Sequence, residues 1–239
     1  MAKILLIETS TEVCSAAISV DGTLAALMET AHTLEHAALL TLHIQACLRD
    51  SGMALRDLDA VALGSGPGSY TALRVGSAVA KGICYALDKP LIAIETLLAL
   101  ATGLEAEAEA LAPGARPYYL PMLDARRNEV WACLYDSGLT ALLPAQPLVL
   151  ENNSFVEWLS AALPAGGPNA FVLCGNGAAK VASVPILEQT VWSSRKKCSA
   201  AYLAAWAEKY FQSAVFQNVA YFEPWYMKPP NITVPNKSL

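Results

Sequence analysis

The dipeptide Asp21-Gly22 lies between two apolar stretches, 15–20 and 23–28, and it constrains the start of the chain more than any other feature. Both central residues of a type I′ turn need φ > 0, which Asp and Gly accept at low cost, so the two stretches pair as an antiparallel hairpin. A strand over 3–7 precedes them, joined by the polar turn Glu8-Thr9-Ser10-Thr11-Glu12. The chain therefore opens with three meandering strands. Beyond them the hydrophobic period becomes helical: helices are expected over 34–51, 72–87 and 96–104, with buried strands at 58–63 and 91–94, giving βββαβαβα.

Residues 105–116 carry Glu105, Glu107 and Glu109 and then Pro113-Gly114, which marks a boundary. A second α/β unit follows it. Strands are expected at 118–123, 129–135, 147–150 and 171–174, and helices at 154–163 and 199–212, with the polar turn Asp124-Ala125-Arg126-Arg127-Asn128 between the first two strands. The expected division is thus 1–104, 117–228 and a frayed tail, 229–239, that opens with Pro229-Pro230. A meander followed by alternating helices and strands, and then by a second α/β unit, is the plan of an actin-like (hexokinase/Hsp70-type) fold, in which one half is used twice.

Composition narrows the function. Hydrophobic residues make up 54% of the 239 and charged residues 15%, so the chain can bury a core and lacks the signature of disorder. Sixteen Lys+Arg against 21 Asp+Glu leave a net charge of −5, so no broad basic face grips nucleic acid unaided. So few charges on so apolar a chain also suggest surface covered by another subunit. The six cysteines form no C-x-x-C pair and read as reduced, buried thiols. Ile4-Leu5-Leu6-Ile7 is too short for a signal-peptide core and no run of about 18 apolar residues occurs, so the expected location is the cytoplasm, with no membrane contact.

In an actin-like fold the turn after the first strand holds phosphates through backbone N–H groups and carries an Asp near the metal. Here that turn is Glu8, Thr9, Ser10 and Thr11, without glycine, and it reads as a degraded phosphate turn. The stretch Gly64-Ser65-Gly66-Pro67-Gly68-Ser69-Tyr70-Thr71-Ala72-Leu73-Arg74-Val75-Gly76 joins a buried strand to a helix. It lacks the Gly-Lys-Ser/Thr of a P-loop and the spacing of a dinucleotide-binding turn. Two readings stay open: a nest of N–H groups that binds an anion, with Arg74 one turn in, or glycines that simply permit a tight turn.

This stretch closely resembles the G-x-G-P-G-S-F/Y-T-G-L/V-R-I/V-G motif of the TsaB (YeaZ) family. Asp124-Ala125-Arg126-Arg127-Asn128-Glu129-Val130 is similar to that family's D-A-R-x-G-E-V, and Ile7-Glu8-Thr9-Ser10-Thr11-Glu12-Val13-Cys14-Ser15 to its I-D-T-A/S-T-x-x-C-S opening. Glu223-Pro224-Trp225-Tyr226-Met227-Lys228 is similar to its P-x-Y-x-R ending. Departures are Glu8 for Asp, Ala72 and Asn128 for Gly, and Lys228 for Arg. The resemblance implies a pseudo-enzyme of actin-like fold. Such a subunit pairs with the catalytic paralogue TsaD and the ATPase TsaE to add a threonylcarbamoyl group to the adenosine flanking the anticodon of ANN-decoding tRNAs. It implies that ATP and metal belong to the partner subunits, that tRNA is met only through the complex, and that the subunit alone forms a homodimer. Cys174-Gly175-Asn176-Gly177 then reads as a thin relic of an adenosine-contacting turn.

His32-Thr33-Leu34-Glu35-His36 fits the H-x-x-E-H of inverted zincins, which admits a metal-dependent, glycoprotease-like peptidase as a rival. Against it, Thr33 reads as a helix N-cap, which would put His32 off the face of His36, and only His43 could join them. A small-metabolite kinase of the same superfold would need an intact phosphate turn and a catalytic Asp. Asp124 is the one candidate, and Arg126, Arg127 and Glu129 around it suggest a turn held by ion pairs. The first helix carries one stripe through Leu34, Ala37, Ala38, Thr41, Ile44 and Leu48, and another through Leu39, Leu42 and Ala46. On the second, Ala72, Gly76, Ala80 and Cys84 form a ridge of small side chains. A partner helix is the expected cover for Leu39, Leu42, Ala46, Ala72, Gly76 and Ala80, and the resemblance points the same way.

Overall fold

The computed structural model describes residues 1–30, 35–111, 117–162, 171–182, 190–194 and 197–226. Strands β1 (Lys3–Glu8), β2 (Cys14–Val20) and β3 (Thr23–Thr30) form the meander. Asp21 and Gly22 turn it at φ 49° and 75°, as the dipeptide requires. Helix α1 (His36–Ser51), β4 (Ala60–Gly64), α2 (Tyr70–Leu87), β5 (Leu91–Ile94) and α3 (Thr96–Leu111) follow. The second unit comprises β6 (Tyr118–Asp124), β7 (Glu129–Tyr135), β8 (Ala141–Val149), α4 (Ser154–Ser160), β9 (Phe171–Cys174), β10 (Thr190–Trp192) and α5 (Ala204–Gln212).

The two sheets repeat one plan. The first has the order β3-β2-β1-β4-β5, the second β8-β7-β6-β9-β10. In each, an antiparallel meander is extended by two parallel strands from its first strand. This is the actin-like α/β architecture with two subdomains. It makes the β1–β2 turn and the β6–β7 turn structural equivalents.

β1 is buried on both faces. Leu5 and Ile7 pack with Leu40, Ile44, Ala80 and Cys84 of α1 and α2, while Ile4 and Leu6 pack with Ala200, Leu203, Ala204 and Ala207. The helices do not respect a division at 104 and 117. α3 lies on the second sheet through Leu97, Leu100, Ala101 and Leu104 against Tyr119, Leu123 and Val172, and α5 returns to the first sheet. Trp206 Nε1 donates to Thr102 Oγ1 at 2.8 Å and ties the two helices together.

Several elements differ from the sequence expectation. α3 continues through the acidic stretch to Leu111. β8 begins at Ala141 rather than 147, because it is an edge strand and accommodates Pro144 and Pro147, which lack a ladder donor. The last helix starts at Ala204, after a 3-10 turn (Ala200–Leu203) whose first two N–H groups are met by Ser15 Oγ and the Ser199 hydroxyl. β10 and the 3-10 turn Ala178–Val181 carry too little periodicity to be foreseen. α1 begins at His36 after Glu35; residues 32, 33, 34, 163 and 229–239 lie outside the described residues. Among the described residues no helix is long and apolar enough to cross a membrane.

Candidate functional site

β1 ends at Glu8, whose side chain is fully buried. Its Oε1 accepts the Ser10 N–H at 2.6 Å. Thr9 Oγ1 donates to the Ala72 carbonyl at 2.9 Å, and the Ser10 carbonyl accepts the Ser69 N–H at 2.7 Å. The Thr11 carbonyl meets His36 Nε2 at 3.0 Å; since a carbonyl only accepts, Nε2 is the protonated nitrogen. Four oxygens of this turn, Glu8 Oε1, Thr9 Oγ1 and the carbonyls of Ser10 and Thr11, are therefore committed to the protein itself.

The alternating glycines of the next loop explain why. A Cβ on Gly64 would overlap the Glu8 carboxylate, one on Gly68 the Ser10 carbonyl, and one on Gly76 the Thr9 hydroxyl. Gly66, at φ 108°, would meet the Trp225 carbonyl. Three glycines thus let the 64–76 segment lie directly on residues 8–10, and the fourth admits the C-terminal segment. Of the two readings left open by sequence, close packing accounts for these glycines. Within the loop the Ser65 N–H goes to the Ile94 carbonyl, the Gly66 N–H to Thr96 Oγ1 at 3.1 Å and the Ser69 N–H to the Ser10 carbonyl, while Pro67 has none. Ser69 and Thr71 are exposed at the start of α2. Arg74 faces the Tyr70 ring at 5.5 Å, and the Tyr70 ring lies tilted against that of Tyr226 at 4.6 Å, so this guanidinium serves an aromatic pair rather than the glycine loop.

Three sequence motifs far apart in the chain meet here, because Trp225 N–H donates to the Ser65 carbonyl at 2.7 Å and Lys81 Nζ holds the carbonyls of Ala220 and Phe222. Among the described residues, Glu8 Oε2, Ser10 Oγ and Thr11 Oγ1 are buried without a hydrogen-bond partner. Burial raises the Glu8 pKa, opposed by the neighbouring Ser10 hydroxyl and the Ser10 and Thr9 amides. Burial, and next the charge of Glu8, push the Cys198 thiol well above its ordinary range.

The equivalent turn of the second sheet is built differently. The Asp124 Oδ1 accepts the Arg126 N–H at 2.6 Å and Lys180 Nζ at 2.5 Å. Lys180 also donates to the carbonyls of Arg127 at 2.7 Å and Glu129 at 3.0 Å. The expected ion pairs of Asp124 with Arg126 and Arg127 are thus replaced by one with Lys180, which lies in the Ala178–Val181 turn and is distant in sequence. Asn176, in the short segment before that turn, links the two equivalent turns. Its Oδ1 accepts the Asp124 N–H at 2.9 Å and its Nδ2 reaches Glu12 Oε2 at 3.5 Å. Gly175, at φ 92°, allows the approach, since a Cβ there would overlap the Met122 carbonyl.

The histidines do not converge. His36 is bonded to Thr11, His43 Nε2 lies 3.0 Å from Thr30 Oγ1, and His32 lies outside the described residues. Among the described residues no three His, Cys, Asp or Glu side chains are grouped to hold a metal ion, and all six cysteines are buried and outside any disulfide.

The helical surface divides in two. Ala72, Gly76, Ala80 and Cys84 are buried in the chain's own core, so the small-residue ridge seats α2 on its sheet instead of admitting a partner. Leu42 is 57% exposed, with Leu39 and Ala46 half-buried beside it, and Val75, Val79 and Ile83 of α2 are also only partly covered. Ala37, Ala38 and Thr41 of the other stripe are exposed, while Ile44 and Leu48 are buried.

Residues 30–235 match the family described as TsaD, tRNA N6-adenosine threonylcarbamoyltransferase. The chain is 37% identical over 131 residues to the tRNA threonylcarbamoyladenosine biosynthesis protein TsaB of Escherichia coli, covering 54% of each chain. It is 30% identical over 162 residues to the protein of the same name from Bacillus subtilis, covering 65% of this chain and 64% of that one. The alignments thus span about half to two thirds of the length of these curated relatives. The solved structure of YeaZ from Pseudomonas aeruginosa superposes with a TM-score of 0.77 at 25% identity, over 95% of this chain and 100% of the other.

Proposed function

The chain belongs to the TsaB (YeaZ) family, within the wider TsaD family whose model covers most of it, and on that premise we propose that it is a non-catalytic supporting subunit in threonylcarbamoyladenosine modification of tRNA. Its work is to bind and activate a TsaD paralogue, in an assembly completed by the TsaE ATPase. The observation that carries this reading is the filled turn: residues 8–10 are covered by Gly64, Gly68 and Gly76 of the chain itself. A phosphate approaching that turn would have to displace protein backbone. Catalysis, ATP and metal are accordingly assigned to the partners, and tRNA is reached through the complex.

The surface offered to the paralogue, or to a second copy of the chain when alone, is the outer side of α1 and α2 around Leu39, Leu42 and Ala46. Reconstitution tests the proposal. The chain, its TsaD paralogue, TsaE, an ANN-decoding tRNA and an activated threonylcarbamoyl donor should yield modified adenosine, and leaving out the chain should abolish it. The chain alone should show no micromolar ATP binding by calorimetry. Tight ATP binding that is lost on altering Thr9 would instead revive the kinase.

A further inference from the structure

We propose that Arg126 and Arg127, at the tip of the β6–β7 turn, form a contact for the phosphate backbone of the tRNA held by the complex. The inference rests on the tRNA reading above and deepens it. Both residues are exposed and both adopt left-handed backbone, φ 66° and 49°. For a residue with a Cβ that conformation is unfavourable, and Gly or Asn would adopt it more readily. The turn thus presents two adjacent arginines where local geometry asks for something else.

Among the described residues their charge is unspent. Asp124, the carboxylate at the base of the turn, is paired with Lys180, and neither guanidinium has a hydrogen bond or ion pair among the described residues. The acidic neighbour Glu12 is joined to the turn through Asn176 rather than through the arginines. Lys180 fixes the carbonyls of Arg127 and Glu129 from beneath, so the arginine pair stands on a tethered support. In a chain of net charge −5, two neighbouring arginines unpaired among the described residues are a local exception.

The chemistry selects the ligand. Guanidinium forks match phosphate oxygens two at a time, and an exposed tip without enclosing walls suits an extended polyanion better than a single nucleotide, whose base needs a pocket. Contacts of this kind position a nucleic acid without reading its sequence.

The test uses the full chain with its TsaD paralogue and an ANN-decoding tRNA. In R126Q/R127Q, tRNA affinity of the complex should fall about tenfold, and the slope of log K against log salt should flatten by about 1 to 2, while R126K/R127K keeps most of the slope. Co-purification with the paralogue and thermal unfolding should be unchanged in both. Unaltered affinity and slope in R126Q/R127Q would overturn the inference, as would loss of paralogue binding, which would assign the tip to a protein contact. ATP or inorganic phosphate competing at micromolar concentration would overturn it in favour of a small anion. Failure of the wild-type mixture to modify tRNA at all would strike the functional reading instead, and is scored separately.

Discussion

The Cα of Gly64 stands so close to the Glu8 carboxylate that any side chain at position 64 would occupy the space of Glu8 Oε2. The end of β4 and the end of β1 are neighbours in the sheet, and the missing Cβ is what lets a buried carboxyl fit between them. Gly64→Ala is therefore expected to destabilise the chain by about 1–3 kcal/mol, the usual cost of overpacking. Glu8→Ala in the same chain should restore part of that loss. Urea denaturation of both single variants and the double variant measures the coupling; independent, additive effects would show that the two residues do not compete for space.

Glu8 also imposes a pH dependence. Its pKa is raised from 4.5 by burial, so between 4.5 and the raised value the folded chain binds more protons than the unfolded chain. Stability then falls as pH rises through that window, by at most about 1.4 kcal/mol per pH unit for one group. Glu8→Gln keeps an acceptor for the Ser10 N–H and cannot ionise. It should match or exceed the wild type in melting temperature at pH 7 and lose that advantage near pH 4. Glu95, whose pKa is raised by desolvation too, contributes equally to both chains and cancels in the difference. A wild type that gains stability relative to Glu8→Gln on going from pH 5 to pH 8 would contradict this assignment.

Most of the fold was legible because its signals are local. Asp21-Gly22 sets a hairpin by backbone preference alone, and the runs Leu91–Ile94 and Phe171–Cys174 are short, apolar and flanked by breakers. The site was legible in part. The glycines of 64–76 announced a special turn, but what they approach, the Glu8 carboxylate, the Ser10 carbonyl and the Trp225 carbonyl, depends on tertiary placement that spacing does not encode. Lys180 escaped notice for the same reason, and the sequence marks Asn176 only as part of the relic turn 174–177: a lone Lys in a loop looks like solvated surface until the fold brings it beneath another turn. The ridge on α2 misled because small residues at every fourth position favour any close helix approach, and the sheet beneath took it first.

That distinction separates two sets of variants. Ala80→Leu would force three extra carbon atoms into the core shared with Leu5 and Leu63, and is expected to lower monomer stability by about 1–3 kcal/mol. Leu42→Glu, at an exposed site, should change stability by no more than about 0.5 kcal/mol yet weaken self-association and co-purification with the paralogue by burying an unpaired charge there. Thermal unfolding alongside size-exclusion chromatography resolves the two. Leu42→Glu that associates as tightly as wild type would remove the outer side of α1 from the contact.

Lys180 gives the last prediction, because its three acceptors differ in kind. The ion pair with Asp124 involves a carboxylate whose side chain is 43% exposed, where solvent and salt leave an ion pair worth little. The bonds to the Arg127 and Glu129 carbonyls instead fix the backbone of the β6–β7 turn. Lys180→Met should then cost about 1–2 kcal/mol, little changed between low salt and 0.5 M salt. Asp124→Asn, which leaves both carbonyl bonds in place and keeps an acceptor oxygen, should cost less than about 0.5 kcal/mol. Amide hydrogen exchange adds the local readout: residues 125–129 should exchange faster in Lys180→Met and nearly as in wild type in Asp124→Asn. Equal losses in the two variants, both fading with salt, would mean that the turn is held by charge rather than by the backbone tether.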